Sequence, residues 1–193
     1  MIKIGITGGI GSGKTTVCKL FESLNIPIYY ADGRAKWLMG NVPQLKKNIT
    51  ELFGEEAYLV DGTLNRVFIS TIAFQNQAKL SELNALVHPA VQKDGEIWFS
   101  QQKNAPYAIK EAALLIESNS YKQLDEIIVV TAPVEVRVER VMLRDSVKKE
   151  AVMARVSKQM SDKDRAQFAD YVIDNNGKDL MEQVMKIHGM ILG

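Results

Sequence analysis

The sequence predicts an α/β fold: a five-stranded parallel sheet with helices on both faces, a helical insertion, and a helical excursion near the C-terminus. Three observations predict it. β-Branched runs return along the chain, separated by segments of helical period. A glycine-rich loop, Gly8-Gly9-Ile10-Gly11-Ser12-Gly13-Lys14-Thr15, joins the first run to the first helix. Between the second and third runs lie roughly 70 residues of helical pattern, too many for one crossover helix, so they read as an insertion.

The first strand is Ile2 to Thr7, which alternates and leads directly into the loop. The first helix runs from Thr15 to Leu24, with Val17, Leu20, Phe21 and Leu24 at helical spacing. The loop between them fits G-x-x-x-x-G-K-[ST] at every position, in the strand–loop–helix context that the chemistry needs. Glycines let successive backbone N–H groups converge, and with the helix N-terminus they form a concave anion site. Lys14 reaches the β- and γ-phosphates, and the Thr15 hydroxyl supplies one ligand to Mg²⁺. The chain is therefore read as a nucleoside triphosphate binder.

Ile26 to Ala31 reads as the second strand, ended by Asp32-Gly33, with a helix from about Arg34 to Met39. Leu45, Ile49, Leu52 and Phe53 mark another helix, and Asp61-Gly62 marks a turn. Asn65 to Val91 holds two helical patterns, the second expected to break near His88-Pro89. Helical period resumes from Val91 to Phe99, up to Asn104-Ala105-Pro106. Tyr107 to Ile116 reads as the third strand. Glu126 to Thr131 is the fourth, nearly continuous as in a sheet covered on both faces. Pro133 opens a helix to about Arg144, and further helical segments cover about 148–160 and 162–168. Tyr171 to Asp174 is a last strand, Asn175-Asn176-Gly177 a turn, and Leu180 to Ile191 a closing helix.

The chain has 193 residues, 46% apolar and 24% charged, with a formal net charge of +1. That balance gives no electrostatic case for a general nucleic-acid or membrane-surface binder. One cysteine, Cys18, excludes an internal disulfide and reads as a small buried apolar residue. No basic-then-apolar leader and no membrane-length apolar run is seen, so cytoplasmic residence is expected.

Ligands of open parallel sheets sit beyond the carboxyl ends of the strands, which singles out Asp32 after the second strand. A carboxylate there suits the base or orienter of an attacking hydroxyl, and equally suits a turn or N-cap before Arg34. Arg137, Arg140 and Arg144 share one face, about a quarter turn from Val134, Val138 and Val141. This row is expected to look along a cleft, where forked guanidinium groups bind phosphate, with Arg155 and Arg165 available to join it. A solvated charged face is the plainer reading of the same spacing.

Together these segments resemble the dephospho-coenzyme A kinase family. The resemblance is carried by the phosphate loop, Ala31-Asp32, Asp61 to Arg66, Leu83 to Pro89, Leu114 to Glu117, Arg140 with Arg144-Asp145, Arg155 to Ser161, and Ala169 to Gly177. They occur in family order over nearly the whole chain. The His88-Pro89 and Asp174-Asn175-Asn176-Gly177 segments are far more specific than the loop alone.

The resemblance implies transfer of the ATP γ-phosphoryl group to the ribose 3′-hydroxyl of dephospho-coenzyme A, the last step of coenzyme A synthesis. It implies a P-loop kinase core, an inserted helical acceptor subdomain over about 33–104, and a helical lid over about 137–168. Asp32, Lys14 and Arg140 would be the catalytic residues. Gly11, Ser12, Gly13, Lys14, Thr15, Thr16, Arg140 and Asn175 would bind ATP, with Mg²⁺ on Thr15. Asp32, Arg66, His88 and Glu117 would serve the acceptor, although His88 before Pro89 equally suits a helix cap. Glu117 equally suits a holder of metal-bound water or the end of a strand. The partners implied are ATP and dephospho-coenzyme A, without nucleic acid or membrane, in a monomer or weak homo-oligomer.

Two positions depart from the family pattern. Tyr30 stands where an aspartate is frequent, leaving Asp32 the one acid of this turn, and Ala113 stands where proline is frequent. The rivals are a kinase for another small molecule or nucleoside monophosphate, and a non-catalytic ATP sensor. A switch GTPase is disfavoured because no guanine-reading Asn-Lys-x-Asp motif occurs.

Overall fold

The computed structural model describes residues 1–193, apart from the side chain of Phe74. The chain divides into two compact units, Met1–Tyr30 with Gln101–Gly193, and Ala31–Ser100.

The first unit holds a five-stranded sheet, β1 (Ile2–Thr7), β2 (Ile28–Tyr30), β3 (Tyr107–Glu111), β4 (Glu126–Thr131) and β5 (Tyr171–Asp174). The order is β2-β3-β1-β4-β5 and every pairing is parallel. β1 is central, in register with β3 from Ile2↔Tyr107 to Ile6↔Glu111 and with β4 from Ile4↔Glu126 to Thr7↔Val129. Alternation then decides the two faces. Ile4 and Ile6 lie in one core with Val17, Cys18 and Phe21 of α1 (Lys14–Ser23) and Val184, Ile187 and Ile191 of α9 (Leu180–Leu192). Gly5 points the other way, where Leu115 and Leu124 press so close that a Cβ at Gly5 would collide with them. Phe21 is wholly buried, edge-on to Tyr107, and Phe21→Ala would destabilise by about 3–5 kcal/mol. Cys18 is equally buried, and burial pushes its thiol pKa up, as for an unreactive core residue.

The strands are shorter than their apolar runs. β2 starts only at Ile28 because Ile26 closes the preceding helix, its N–H donating to Phe21 O, and Pro27 has no N–H. β3 stops at Glu111. Leu115 and Ile116 are buried in the turns that follow it, so apolar character continues past the end of pairing.

The second unit is helical: α2 (Ala31–Asn41), α3 (Pro43–Phe53), α4 (Arg66–Gln75) and α5 (Gln77–Gln101, whose last residue enters the first unit). Arg34 of α2 grips Asp94 of α5 with both arms of its fork, Nε to Oδ2 at 2.8 Å and Nη2 to Oδ1 at 2.5 Å. Asn65 caps α4 by accepting from the Phe68 N–H at 3.2 Å. Helix α2 begins at Ala31, ahead of the expected Arg34, so Asp32 is neither a turn nor an N-cap but sits in the first turn, where a carboxylate suits the helix dipole.

Helix α5 does not break at Pro89. The stripe Val87, Val91, Gly95 and Phe99 stays buried on both sides of the proline, and that continuous burial outweighs one missing hydrogen bond. Ala85, whose carbonyl loses its partner, is exposed and can be solvated.

In the first unit, α6 (Val134–Asp145), α7 (Lys149–Val156) and α8 (Asp162–Ala166) complete the chain. Val138, Val141 and Val152 form their small core, against which Ile10 of the glycine-rich loop packs. Among the described residues no helix is long and apolar enough to cross a membrane.

Candidate active site

Everything in the glycine-rich loop converges on the start of α1. Gly13 occupies the left-handed region, φ 94°, as the N-cap of α1, and its Val17 N–H···O bond at 3.1 Å starts the helix. Gly11 is also left-handed, φ 78°, and a Cβ there would strike the backbone carbonyl of Arg137. These two glycines are required by both conformation and space. The Ser12 N–H donates to Gly9 O at 3.1 Å, folding the loop back on itself. Ser12 is fully buried and its hydroxyl has no partner among the described residues.

Lys14, the first residue of α1, turns its ammonium over the loop and donates to Gly8 O at 2.9 Å and Gly9 O at 3.5 Å. Thr15 and Thr16 follow in the first turn, both exposed. The Thr15 hydroxyl is a hard oxygen donor of the kind Mg²⁺ accepts beside phosphate oxygens. Among the described residues no group of three or more His, Cys, Asp or Glu converges as a metal cage, and a phosphate-held Mg²⁺ needs none.

Asn175, just past β5, ties the loop to α6. Its N–H donates to Thr131 O at 2.8 Å, and its side-chain Nδ2 donates to Ser12 O at 2.8 Å. Arg140 donates from Nη2 to Asn175 O at 3.0 Å and Oδ1 at 3.4 Å, while its buried Nη1 has no partner among the described residues. The structure thus gathers Gly11, Ser12, Gly13, Lys14, Thr15, Thr16, Arg140 and Asn175 in one place, with Arg140 Nη1 and the Ser12 hydroxyl unpartnered among the described residues.

The arginine row does not face a cleft as a unit. Arg137 is only 4% exposed, its guanidinium occupying the space that a Cβ on Gly9 would need, and Nη1 donates to Asp162 Oδ1 at 2.9 Å. Arg144 is exposed and chelates its neighbour Asp145 at 2.7 and 3.1 Å, holding that carboxyl below the usual carboxylate range. Arg155 joins the same carboxylate at 3.3 Å. Arg165 is fully buried, donating to Asp162 at 2.8 Å and Glu117 at 3.4 Å. Burial splits the row because the start of α6 lies against the glycine-rich loop, with Arg137 at Gly9 and Gly11, while its end is exposed to solvent.

Glu117 lies beyond β3 rather than ending it, and also accepts from the Met160 N–H at 3.4 Å. In the helical unit Asp32 is exposed on the first turn of α2, and Arg66 is the first residue of α4. His88 is exposed mid-helix in α5, so it caps nothing. Sequence reasoning assigned no role to Gln159, whose Oε1 accepts the Ile10 N–H at 2.8 Å, or to Asp162. Gln159 falls within the Arg155 to Ser161 segment that carries the family resemblance, the one signal in the sequence that could have singled it out.

Comparison with known proteins bears on the whole chain. The family model described as Dephospho-CoA kinase matches residues 2–180. The chain belongs to the dephospho-CoA kinase family. The dephospho-CoA kinase of Bacteroides fragilis is 38% identical over 187 residues, covering 96% of this chain and 91% of that protein. That of Chlorobium chlorochromatii is 36% identical over 201 residues, 98% of this chain and 93% of its own. Among solved structures, dephospho-CoA kinase from Campylobacter jejuni superposes with TM-score 0.72 at 25% identity, covering 98% and 96% of the two chains. A protein from Thermus thermophilus superposes with TM-score 0.88 at 33% identity, covering 100% and 98%. Shikimate kinase from Acinetobacter baumannii, TM-score 0.55 at 20% identity, shares the fold. As a member of the dephospho-CoA kinase family the chain is a kinase, and its loop is the nucleotide-binding P-loop of that fold.

Proposed function

We propose that the chain phosphorylates the ribose 3′-hydroxyl of dephospho-coenzyme A with ATP, giving coenzyme A and ADP in the cytoplasm, as a monomer or weak homo-oligomer. The observation that carries the reading is the Gly8–Thr16 loop clamped by Asn175 and Arg140, in a chain matched to this family over residues 2–180. Loop amides, Lys14 and the start of α1 bind the triphosphate, and Arg140 adds charge from its spare Nη1. Asn175 borders the nucleotide. Asp32 orients the 3′-hydroxyl and takes its proton as the oxygen attacks the γ-phosphorus in line and the β–γ bridging oxygen leaves on ADP. Mg²⁺ held at Thr15 would neutralise charge between the β- and γ-phosphates. Arg66 and His88 lie in the acceptor unit, 33–104, and 137–168 form the lid.

The test is ADP release with Mg-ATP and a panel of dephospho-coenzyme A, nucleoside monophosphates, adenosine and no acceptor. Stimulation by dephospho-coenzyme A alone, with a product heavier by one phosphate, is expected. Stimulation only by another acceptor would move the substrate, and ATP binding without turnover on any acceptor would make the chain a sensor.

A further inference from the structure

Two cavities in the helical unit share one wall. The larger, about 900 Å³, has a mixed polar and apolar lining that includes Gly33, Lys36, Trp37, Gly40, Lys46 and Asp61. The smaller, about 290 Å³, is lined by Met39, Ile69, Ala73, Leu80 and Leu83, with Ser70 at its mouth. Lys36, Leu64 and Arg66 line both. Among the described residues, neither Lys36 nor Arg66 has a carboxylate partner, whereas Arg34, on the same helix as Lys36, is paired with Asp94. So two cations without a carboxylate partner stand where a mixed cavity meets an almost wholly apolar one. The apolar cavity is small, just under the range of about 300–1,000 Å³ typical of ligand pockets, with room for part of an uncharged arm but not for a whole nucleotide.

The sequence of α2 sets an order leading to this wall. Asp32, Lys36 and Met39 are i, i+4 and i+7, on one face of the helix and spanning about 10 Å of its axis; Lys36 and Met39 line the cavities, and Asp32 lies one turn ahead of them. Dephospho-coenzyme A has matching chemistry in matching order: a ribose with the 3′-hydroxyl, a diphosphate on the same sugar, then a largely uncharged arm with a dimethyl carbon. We infer that α2 reads the acceptor in this order, with Lys36 and Arg66 bracketing the diphosphate and the Met39–Ile69–Ala73–Leu80–Leu83 cavity taking the arm. This rests on the acceptor assignment above and adds a specificity determinant to it. The diphosphate held at Lys36 fixes the ribose one helical turn away, at Asp32, and the arm cavity selects acceptors that carry the chain.

The experiment measures KM for three substrates: dephospho-coenzyme A, the β-methyl ester of ADP (diphosphate without the arm), and ATP. The full chain is compared with Lys36→Gln, Arg66→Gln, Ala73→Phe and Ser70→Trp. Dephospho-coenzyme A binding without ATP is followed by calorimetry. Lys36→Gln and Arg66→Gln should each raise KM for both acceptors about tenfold, the scale of one charge-assisted contact, and weaken calorimetric binding equally. Ala73→Phe and Ser70→Trp should raise KM for dephospho-coenzyme A about tenfold and leave the arm-less acceptor within about twofold. KM for ATP should stay within about twofold throughout. Ser70 is exposed, so its variant remains informative should Ala73→Phe misfold. If the parent turns over dephospho-coenzyme A and the variants bind it as the parent does, or Ser70→Trp weakens both acceptors alike, the inference is overturned alone. If the parent does not act on dephospho-coenzyme A, the acceptor assignment fails and this inference falls with it.

Discussion

Gln159 Oε1 accepts the backbone N–H of Ile10 at 2.8 Å, so a side chain from the segment between α7 and α8 holds the third position of the phosphate loop. That position adjoins the glycines that bind phosphate, and Ile10 itself packs on Val138, Val141 and Val152. The loop is therefore shaped by the candidate lid as well as by its own glycines.

Gln159→Ala should leave the Ile10 N–H without its partner and raise KM for ATP several-fold, with KM for the acceptor unchanged. Gln159→Glu keeps an acceptor oxygen but brings a negative charge to the triphosphate. Steady-state kinetics should show Glu worse than Ala for ATP, while thermal melts show Glu the more stable of the two. Equal KM values would mean that Gln159 holds the loop without approaching the phosphates.

Asp162 carries two buried cations at once, Arg137 at 2.9 Å and Arg165 at 2.8 Å. Arg137 is 4% exposed and Arg165 fully buried, each with an Nε lacking a partner, so neither can exchange its carboxylate for water. Asp162→Asn should cost about 3 kcal/mol or more, because uncompensated buried charge outweighs the loss of a good contact. Urea denaturation checks this, and a loss below about 1 kcal/mol would show that Glu117, or water reaching the guanidinium groups, compensates. ATP binding should weaken as well, since Arg137 fills the space beside Gly9.

Much of this was legible in the sequence, for a physical reason. β1, β4 and the loop between β1 and α1 carry local signals: β-branched runs mark the strands although their pairing partners are distant, and the glycine pattern names the ligand chemistry. What was misread depends on partners distant in sequence. Pro89 is overridden by a buried stripe that packing rather than propensity maintains, and Leu115 and Ile116 are apolar because they fill a turn, not a strand. The periodicity of Arg137, Arg140 and Arg144 gave one face, but the contact of the start of α6 with the loop separates them into a buried buttress, a site arginine and a surface pair. Gln159 acts on Ile10, 149 positions away, and Asp162 on Arg137, 25 positions away, relations that no helical or strand window contains.

The surface pair makes a pH prediction. Arg144 and then Arg155 hold the Asp145 carboxyl below its ordinary value of 3.8. A depressed acid stabilises the fold above its unfolded pKa, and that contribution is lost as pH falls through the folded value. The parent should therefore be slightly more stable than Asp145→Asn at neutral pH, with the difference holding down to about pH 4, disappearing as the pH falls further through the depressed value, and shrinking in high salt. Paired urea melts across that range would show it, and a difference that persists in acid would place the effect in packing.

Lys14 and Asp32 should fail in different ways under the proposed function, which gives Lys14 to the nucleotide and Asp32 to the acceptor. Lys14→Ala removes the cation that now lies on Gly8 O and Gly9 O, so KM for ATP should rise and kcat fall together. Asp32→Asn keeps the shape of an exposed side chain in the first turn of α2 and should leave both substrates bound at nearly parental affinity. Its kcat should fall by about 10²–10⁴-fold, the range for loss of a positioned general base. Thermal stability should change little in either, since neither side chain belongs to the buried core. If Asp32→Asn turned over within a few-fold of the parent, the carboxylate would be no base, and orientation of the hydroxyl would rest on the acceptor's own anchoring. If Asp32→Asn lost acceptor affinity with kcat intact, Asp32 would be a binding residue only.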